Sequence, residues 1–436
     1  MSKDNGVLII GLLTAVTAMA CGSSNREPTY WQDVAPILVE DCVACHQEGG
    51  IAPFSLDDPD QAAQWAEAVA DATKERRMPP WAVTDDGSCG EFRSSRALSD
   101  EEIRTIGDWA AAGAPLGEPR DDLRKPEIPT LTGGVEITTP DFVPEIVGGP
   151  LAQFDEYRCF VVELERDKDL FMTGYDMIPG NPALVHHALL MLVDPELKIG
   201  DKPSNAERIR ELDDLSPDRP GWSCFGEAGD GVSTDGTPIT WTPGQGVIRL
   251  PEGVGVRIPQ NHMLVVQMHY NMADEAVRGQ SDQSVFQLAL AESTPREGFF
   301  IDLAPLLKTL FVGETFSLEP GRESVVFTWE QPLAPLFRES SLQSIDLYGV
   351  MPHMHEFGRK IHMDVDQGGV NTCAVDVQRW DFNWQLIYFY QEPIVLTRQS
   401  TLRGSCDYNT VGRTEPVSPG WGTQNEMCLM GLLLVP

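Results

Sequence analysis

Apolar residues follow two rhythms along this chain. Between Tyr30 and Leu116 they recur at helical spacing, most plainly in Ile103, Ile106 and Trp109, behind the capping box Ser99-Asp100-Glu101-Glu102 and ahead of the stops Gly113 and Pro115. An earlier helix is predicted around Trp31 to Glu40. Asp58-Pro59 opens another with a cap and a proline in its first turn, and the cations from Lys74 to Arg77 suit its C-terminal end. Beyond residue 134 the pattern shortens to strands of roughly four to eight residues, split by Gly, Pro and Asp turns. There only Asn205 to Leu215 reads as helix. Residues 117–134, with several prolines and mixed charge, read as a linker. The pattern predicts a multidomain chain: a small all-α unit over residues 22–116, then two all-β sandwiches over 135–294 and 295–436, with a break near Ser293 to Gly298.

The first twenty residues follow neither rhythm. Val7 to Leu13 is an apolar run well below the roughly 20 residues needed to span a bilayer. Small residues follow up to Ala20-Cys21, then Gly22-Ser23-Ser24. This is the pattern of a signal peptide over residues 1–21 with a lipoprotein cleavage site, Cys21 taking the lipid. It predicts an exported bacterial lipoprotein, periplasmic or held to the outer membrane through Cys21. Disulfides persist in such a compartment, which makes the nine cysteines informative. Setting aside Cys21 and the pair Cys42 and Cys45 leaves Cys89, Cys159, Cys224, Cys373, Cys406 and Cys428, enough for three bridges in any of fifteen connectivities. The formal charge of −34 argues against a nucleic-acid partner, and 436 residues with 42% hydrophobic content allow large buried cores.

Cys42-Val43-Ala44-Cys45-His46 has the spacing by which two thiols add to haem vinyl groups while the next histidine binds iron. Downstream, Arg77-Met78-Pro79-Pro80-Trp81 sets a methionine in a segment stiffened by two prolines, suited to present the Met78 thioether to a haem face. With Ser99 to Ala112 as last helix, the segment resembles a class I-like cytochrome c domain. The resemblance implies one covalently bound haem c held by Cys42, Cys45, His46 and Met78. Both axial positions would be filled, which favours electron transfer over oxygen binding.

The chain has only eight histidines, and four of them come in pairs. In Met351-Pro352-His353-Met354-His355 the period of two on a strand turns both imidazoles to one face, with Met351 beside them. The neighbours His186 and His187 would point to opposite faces of a regular strand, and a bulge or strand end would bring them together. His269, in Gln267-Met268-His269-Tyr270, offers a third nitrogen. His262 points the other way and reads as an ordinary structural or surface histidine, while His362 shares a strand face with Lys360, Asp364 and Asp366 and reads as solvated. Two imidazoles are half a metal site. A thioether as further ligand would select copper over zinc, but spacing alone does not choose among fourteen methionines.

Together these motifs resemble the copper type II, ascorbate-dependent monooxygenases, the family of peptidylglycine α-hydroxylating monooxygenase and dopamine β-monooxygenase. Val185-His186-His187-Ala188 with Gln267-Met268-His269-Tyr270 is similar to that family's first copper site. Pro352-His353-Met354-His355 with Phe357-Gly358 is similar to its second, and Glu426-Met427-Cys428 matches the tripeptide that carries its thioether. The resemblance, over about residues 135 to 436, implies jelly-roll-like sandwiches and two copper ions, one on His186, His187 and His269, the other on His353, His355 and Met427. It further implies a Cys406–Cys428 bridge and hydroxylation of a C–H bond by O2 at the His353, His355 and Met427 centre, one oxygen atom being inserted and the other reduced to water. That takes two electrons from an external reductant, ascorbate in the family or here a redox protein. By elimination Cys159 with Cys224 is one candidate pairing, and the pairing of Cys89, Cys159, Cys224 and Cys373 stays open.

Two departures bear on substrate. Amidating members carry an arginine where Met351 stands, and asparagine and tyrosine where Leu429 and Gly431 stand. This argues against peptidylglycine and for a more apolar small molecule. The fused haem is expected to relay electrons to the first copper. The alternative reading is a non-catalytic exported copper and haem lipoprotein for electron transfer or metal handling. A purely structural sandwich would have to explain five motifs in order.

Overall fold

A computed structural model describes residues 26–48, 52–124, 130–146, 154–224, 228–306, 316–337, 342–420 and 424–436. The signal segment and Cys21 lie outside them. Tyr30–Val34 forms a π-turn that runs into α1 (Ala35–Asp41). The helix α2 (Pro59–Gln64) starts where the Asp58 carboxylate accepts the Gln61 N–H at 2.8 Å, and α3 (Ala66–Lys74) follows it. Both halves of the Ser99/Glu102 capping box open α4 (Asp100–Ala111). Tyr30, Val34, Leu38, Val43, Ile106 and Trp109 bury themselves together among these helices.

The segment between α3 and α4 departs from the expected all-α unit. After two prolines the chain stays extended, so its main-chain groups need partners, and a β-sheet edge supplies them. Thr84 N–H donates to the Asp376 carbonyl at 2.7 Å and Gln391 N–H to the Glu91 carbonyl at 2.8 Å. Val83 and Phe92 sit in the core of the C-terminal half, and a Cys89–Cys373 disulfide fastens the segment there.

The rest is β structure apart from α5 (Asn205–Asp213), which has its own Ser204/Glu207 capping box. In chain order the first strands are β1 (Val135–Thr138), β2 (Asp155–Val162), β3 (Leu170–Ile178), β4 (Val185–Val193), β5 (Trp222–Ser223) and β6 (Ile239–Trp241). Then come β7 (Ile248–Arg249), β8 (Val254–Ile258), β9 (Met263–Asn271), β10 (Val285–Ala291), β11 (Arg296–Leu303) and β12 (Val325–Pro332). The last are β13 (Ser344–His353), β14 (Gly358–Gln367), β15 (Val370–Val377), β16 (Tyr388–Thr397), β17 (Ser400–Tyr408) and β18 (Leu429–Val435).

A five-stranded sheet, β5-β2-β9-β4-β6, and a four-stranded sheet, β12-β17-β14-β15, pack against opposite ends of a nine-stranded sheet ordered β1-β10-β3-β8-β11-β18-β13-β16, with β7 on β3. One sandwich core gathers Phe160, Met172, Tyr175, Leu190, Val266 and Phe286. The other gathers Leu347, Val350, Ile361, Met363, Leu402 and Leu432. The two are joined by β8 and β11, which pair in parallel from Arg296 opposite Val254. The two sandwich-like halves therefore share one continuous sheet. Cys159–Cys224 ties β2 to the end of β5, and Cys406–Cys428 ties β17 to the start of β18.

Candidate metal centres

The first centre lies on β4 and β9, where His187 faces His269 across the antiparallel ladder. The register slips between Val185 and His187, so β4 carries one extra residue there, and that residue is His186. Such a bulge re-aims a side chain, which is how two consecutive histidines come to one side. His187 Nδ1 lies 3.4 Å from His186 Nδ1 and 3.1 Å from His269 Nδ1. Behind the cluster, His269 Nε2 donates to Asp155 Oδ1 at 3.1 Å, and Asn271 Nδ2 donates to the same oxygen at 2.8 Å. A carboxylate only accepts, so Nε2 carries the proton and the His269 Nδ1 lone pair points into the cluster. The Tyr157 ring stacks on the other face of His269 with centroids 4.0 Å apart.

The second centre is built at the end of β13. The His353 and His355 rings stand 5.1 Å apart and nearly perpendicular. His353 Nδ1 donates to the Gln385 side-chain oxygen at 2.5 Å, and His355 Nδ1 donates to the Asn425 carbonyl at 3.1 Å. Both acceptors fix the proton on Nδ1 and leave Nε2 as the nitrogen with a lone pair. Met427, 3% exposed, precedes β18, which pairs with β13 so that His353 faces Leu429 and Met351 faces Gly431. Tyr408 Oη donates to the Met427 carbonyl at 2.8 Å. The buried Glu426 carboxylate accepts main-chain N–H groups from His355, Phe357 and Met427. One carboxylate thus braces the loop after His353 and the methionine together.

Burial decides the charge of these imidazoles. It lowers His186 and His353 to about 4, and holds His187 and His269 well below their ordinary value, with neighbouring imidazoles pushing the same way on His186, His187 and His269. All four are neutral at pH 7, which is the form that ligates metal. The three-nitrogen cluster of His186, His187 and His269 is a donor set suited to copper.

His262 and His362 stand apart from both centres. His262 lies between Asn261 at 3.1 Å and Asp235 at 3.0 Å, and His362 lies between Asp364 and Asp376, each at 3.1 Å. Cys373 is close to His362, but its sulfur is bonded to Cys89 and offers no thiolate.

In the helical region Cys42 and Cys45 keep free thiols, while Cys89, Cys159, Cys224, Cys373, Cys406 and Cys428 are bridged. Burial pushes the Cys42 thiol up to about 12 and raises Cys45 too, with the Arg96 cation opposing it at Cys45. His46 Nδ1 donates to the Phe54 carbonyl at 3.2 Å, leaving its Nε2 free. Met78 lines a cleft of about 740 Å³ together with Trp81, Arg96, Asp381 and Trp384. Cys42, Cys45 and His46 are not on its walls, but Arg96, which is, acts electrostatically on the Cys45 thiol.

Beside the second centre, Asp302, Gly431 and Met351 form a row across β11, β18 and β13. They line a narrow cleft with Phe300, Ile387 and Thr240, and the surrounding protein pushes the Asp302 carboxyl up to about 6. Sequence reasoning missed Asp155, Gln385 and Asp302, which act from neighbouring strands and loops. Glu426 was visible as part of Glu426-Met427-Cys428, though without a role.

Residues 337–433, which include His353, His355 and Met427, match the family described as copper type II ascorbate-dependent monooxygenase, C-terminal domain. Tyramine beta-hydroxylase of Caenorhabditis briggsae is 23% identical over 311 residues, 69% of this chain and 48% of that protein. Dopamine beta-hydroxylase of Rattus norvegicus is 22% identical over 343 residues, 76% of this chain and 51% of that protein. DBH-like monooxygenase protein 1 of Gallus gallus is 33% identical over 94 residues, 21% of this chain and 15% of that protein. The chain spans about half the length of the first two relatives. The chain is thus similar to copper type II ascorbate-dependent monooxygenases, with residues 337–433 matching the C-terminal domain of that family.

Proposed function

We propose that this protein is a copper-dependent monooxygenase that hydroxylates a C–H bond with O2. His186, His187 and His269 would hold one copper ion, and His353, His355 and Met427 the other. The observation that carries the reading is the set of fixed tautomers: Asp155, Gln385 and the Asn425 carbonyl each take the outer proton of an imidazole and turn its lone pair inward. His262 and His362, by contrast, have oxygen partners at both ring nitrogens, so neither turns a lone pair towards other histidines. Bound copper would supply one-electron chemistry and a place for O2. The chain's own groups keep the imidazoles neutral, hold Met427 through Glu426 and Tyr408, and shape the substrate cleft.

The cleft modifies the substrate reading. Met351, Phe300 and Ile387 favour an apolar body, and Asp302 is the one charged side chain among the described lining residues. It lies on the sheet face that carries Met351 and leads to His353. An apolar molecule bearing a cationic group matches the chemistry of this wall, in keeping with relatives named for tyramine and dopamine, and the cleft, about 10 Å³ here, would have to widen to admit it.

We further read the helical region as carrying one haem c on Cys42 and Cys45, with His46 and Met78 as axial ligands, that relays electrons from an external reductant to the first copper. Two free thiols in a chain that bridges its other described cysteines support the attachment. The walling of the Met78 cleft by Asp381 and Trp384 supports the relay. The three disulfides fit an oxidising compartment, and export with a lipid anchor at Cys21 completes the reading.

Metal and haem analysis followed by O2 uptake against a panel of aryl and alkyl amines and their neutral analogues tests it. The expected result is two coppers and one haem per chain, with hydroxylated product matching O2 consumed. Redox cycling of bound copper with no product from any substrate would favour the non-catalytic electron-transfer lipoprotein instead.

A further inference from the structure

Phe382 stands between the two histidine clusters. Its ring stacks on His186, centroids 4.9 Å apart and planes 26° apart, and meets His355 edge-on at 6.2 Å. By the sum of these distances the two imidazole centroids are at most about 11 Å apart. The same turn reaches the second cluster by another route. The Phe382 carbonyl accepts from Gln385 Nε2 at 2.7 Å, and the oxygen of that side chain accepts the His353 ring proton. One turn, residues 381–385, therefore packs on a histidine of the first cluster and fixes the tautomer of a histidine of the second.

That turn is also clamped to the first half of the fold. Thr242 Oγ1 donates to the Gln385 carbonyl at 2.8 Å, and Ile387 N–H donates to the Gln245 side-chain oxygen at 2.9 Å. Thr242 directly follows β6, which pairs with the histidine-bearing β4. Gly244 lies against Trp384 so closely that a Cβ there would come within 2.8 Å of the indole.

Resting on the copper reading above, we propose that Phe382 is a positioning residue shared by both clusters, so that metal at one cluster changes the affinity of the other. Ligation fixes the His186 ring. A ring packed on it must follow, and with it the Phe382 carbonyl, Gln385 and the His353 imidazole. Close packing transmits such a shift instead of absorbing it, and the coupling is reciprocal.

The test is Cu(I) titration of the metal-free full-length chain against a chromophoric chelator. His187→Ala and His355→Ala each leave one cluster whole and give its intrinsic affinity. In the wild type each affinity should differ from its intrinsic value by about tenfold, within the usual span of allosteric couplings. Phe382→Leu should abolish that difference and Phe382→Tyr should keep it, with circular dichroism checking the fold. Gly244→Ala, which touches neither cluster, should weaken it too. Wild-type affinities equal to the intrinsic ones overturn the coupling and leave the copper reading intact. Failure of both single-cluster variants and the wild type to take up copper overturns both.

Discussion

Replacing Glu426 with glutamine probes how the second centre is held. The side chain is fully buried, with Oε2 accepting from His355 N–H at 3.0 Å and Met427 N–H at 3.2 Å, and Oε1 accepting from Phe357 N–H at 2.7 Å. Burial outweighs these three donors and pushes the carboxyl from 4.5 up to about 8. An acid raised in the folded state favours folding fully below its unfolded pKa and loses that advantage as pH rises through the folded one. A shift of 3.5 units corresponds to at most about 5 kcal/mol between pH 4.5 and 8. Glutamine does not titrate, so the wild type should gain stability relative to Glu426→Gln as pH falls across that window. The amide also has a single oxygen. At least one of the three N–H groups then faces an NH2, costing about 1–3 kcal/mol and loosening His355 or Met427. Urea denaturation of the metal-free proteins at stepped pH, followed by tryptophan fluorescence, measures the first effect, and Cu(I) competition at pH 7 measures the second. A stability difference that stays constant from pH 4.5 to 8 refutes the raised carboxyl. Unchanged Cu(I) affinity refutes the bracing role.

Other expected outcomes follow from the same contacts. Met427→Leu should keep the fold and most of the copper while abolishing hydroxylation, read as O2 uptake and product. Because burial holds His186 and His353 at about 4 and keeps His187 and His269 well below their ordinary value, copper affinity should stay flat from pH 8 down to about 5 and fall only as pH drops through about 4; a decline centred near 6.5 in competition titrations would show ordinary exposed imidazoles. Removing the Cys406–Cys428 bridge, which spans 22 residues, should cost about 3 kcal/mol on the chain-entropy account, seen as a lowered melting temperature. Cys42→Ala should abolish the covalent haem stain and slow copper reduction by a protein donor more than by ascorbate; equal slowing of both, or of neither, argues against the relay.

What could be read from the sequence divides along a physical line. Strand alternation placed His353 and His355 together because the period of two is local. For His186 and His187 the same rule demanded an irregularity, and the register slip after Val185 supplies it. Met427 lies 72 residues beyond His355, and only the Glu-Met-Cys motif singled it out, since β18 reaches β13 through tertiary pairing. The two prolines marked Arg77 to Trp81 as extended, but nothing local showed that the chain from Trp81 to Ala97 joins the C-terminal core. An extended backbone must find partners, and Phe92 finds its bridge at Tyr390, nearly three hundred residues on. Asp155, Phe382 and Gln385 were invisible for the same reason: each acts through a contact with no local period.

The hidden residues also separate the two centres chemically. Asp155 takes the Nε2 proton of His269 and leaves Nδ1, the nitrogen nearer the backbone, as the donor atom. Gln385 and the Asn425 carbonyl take Nδ1 protons and leave Nε2, at the outer tip of each ring. In the first cluster the His269 lone pair is therefore directed close against β4 and β9, towards the Nδ1 atoms of His187 and His186. The second presents its lone pairs from the rings' far ends, beside the cleft that Met351 and Asp302 line. The two centres are thus told apart by the ring nitrogen each leaves for an ion and not by burial, since His186, His187 and His353 are all half-buried while His269 and His355 are buried.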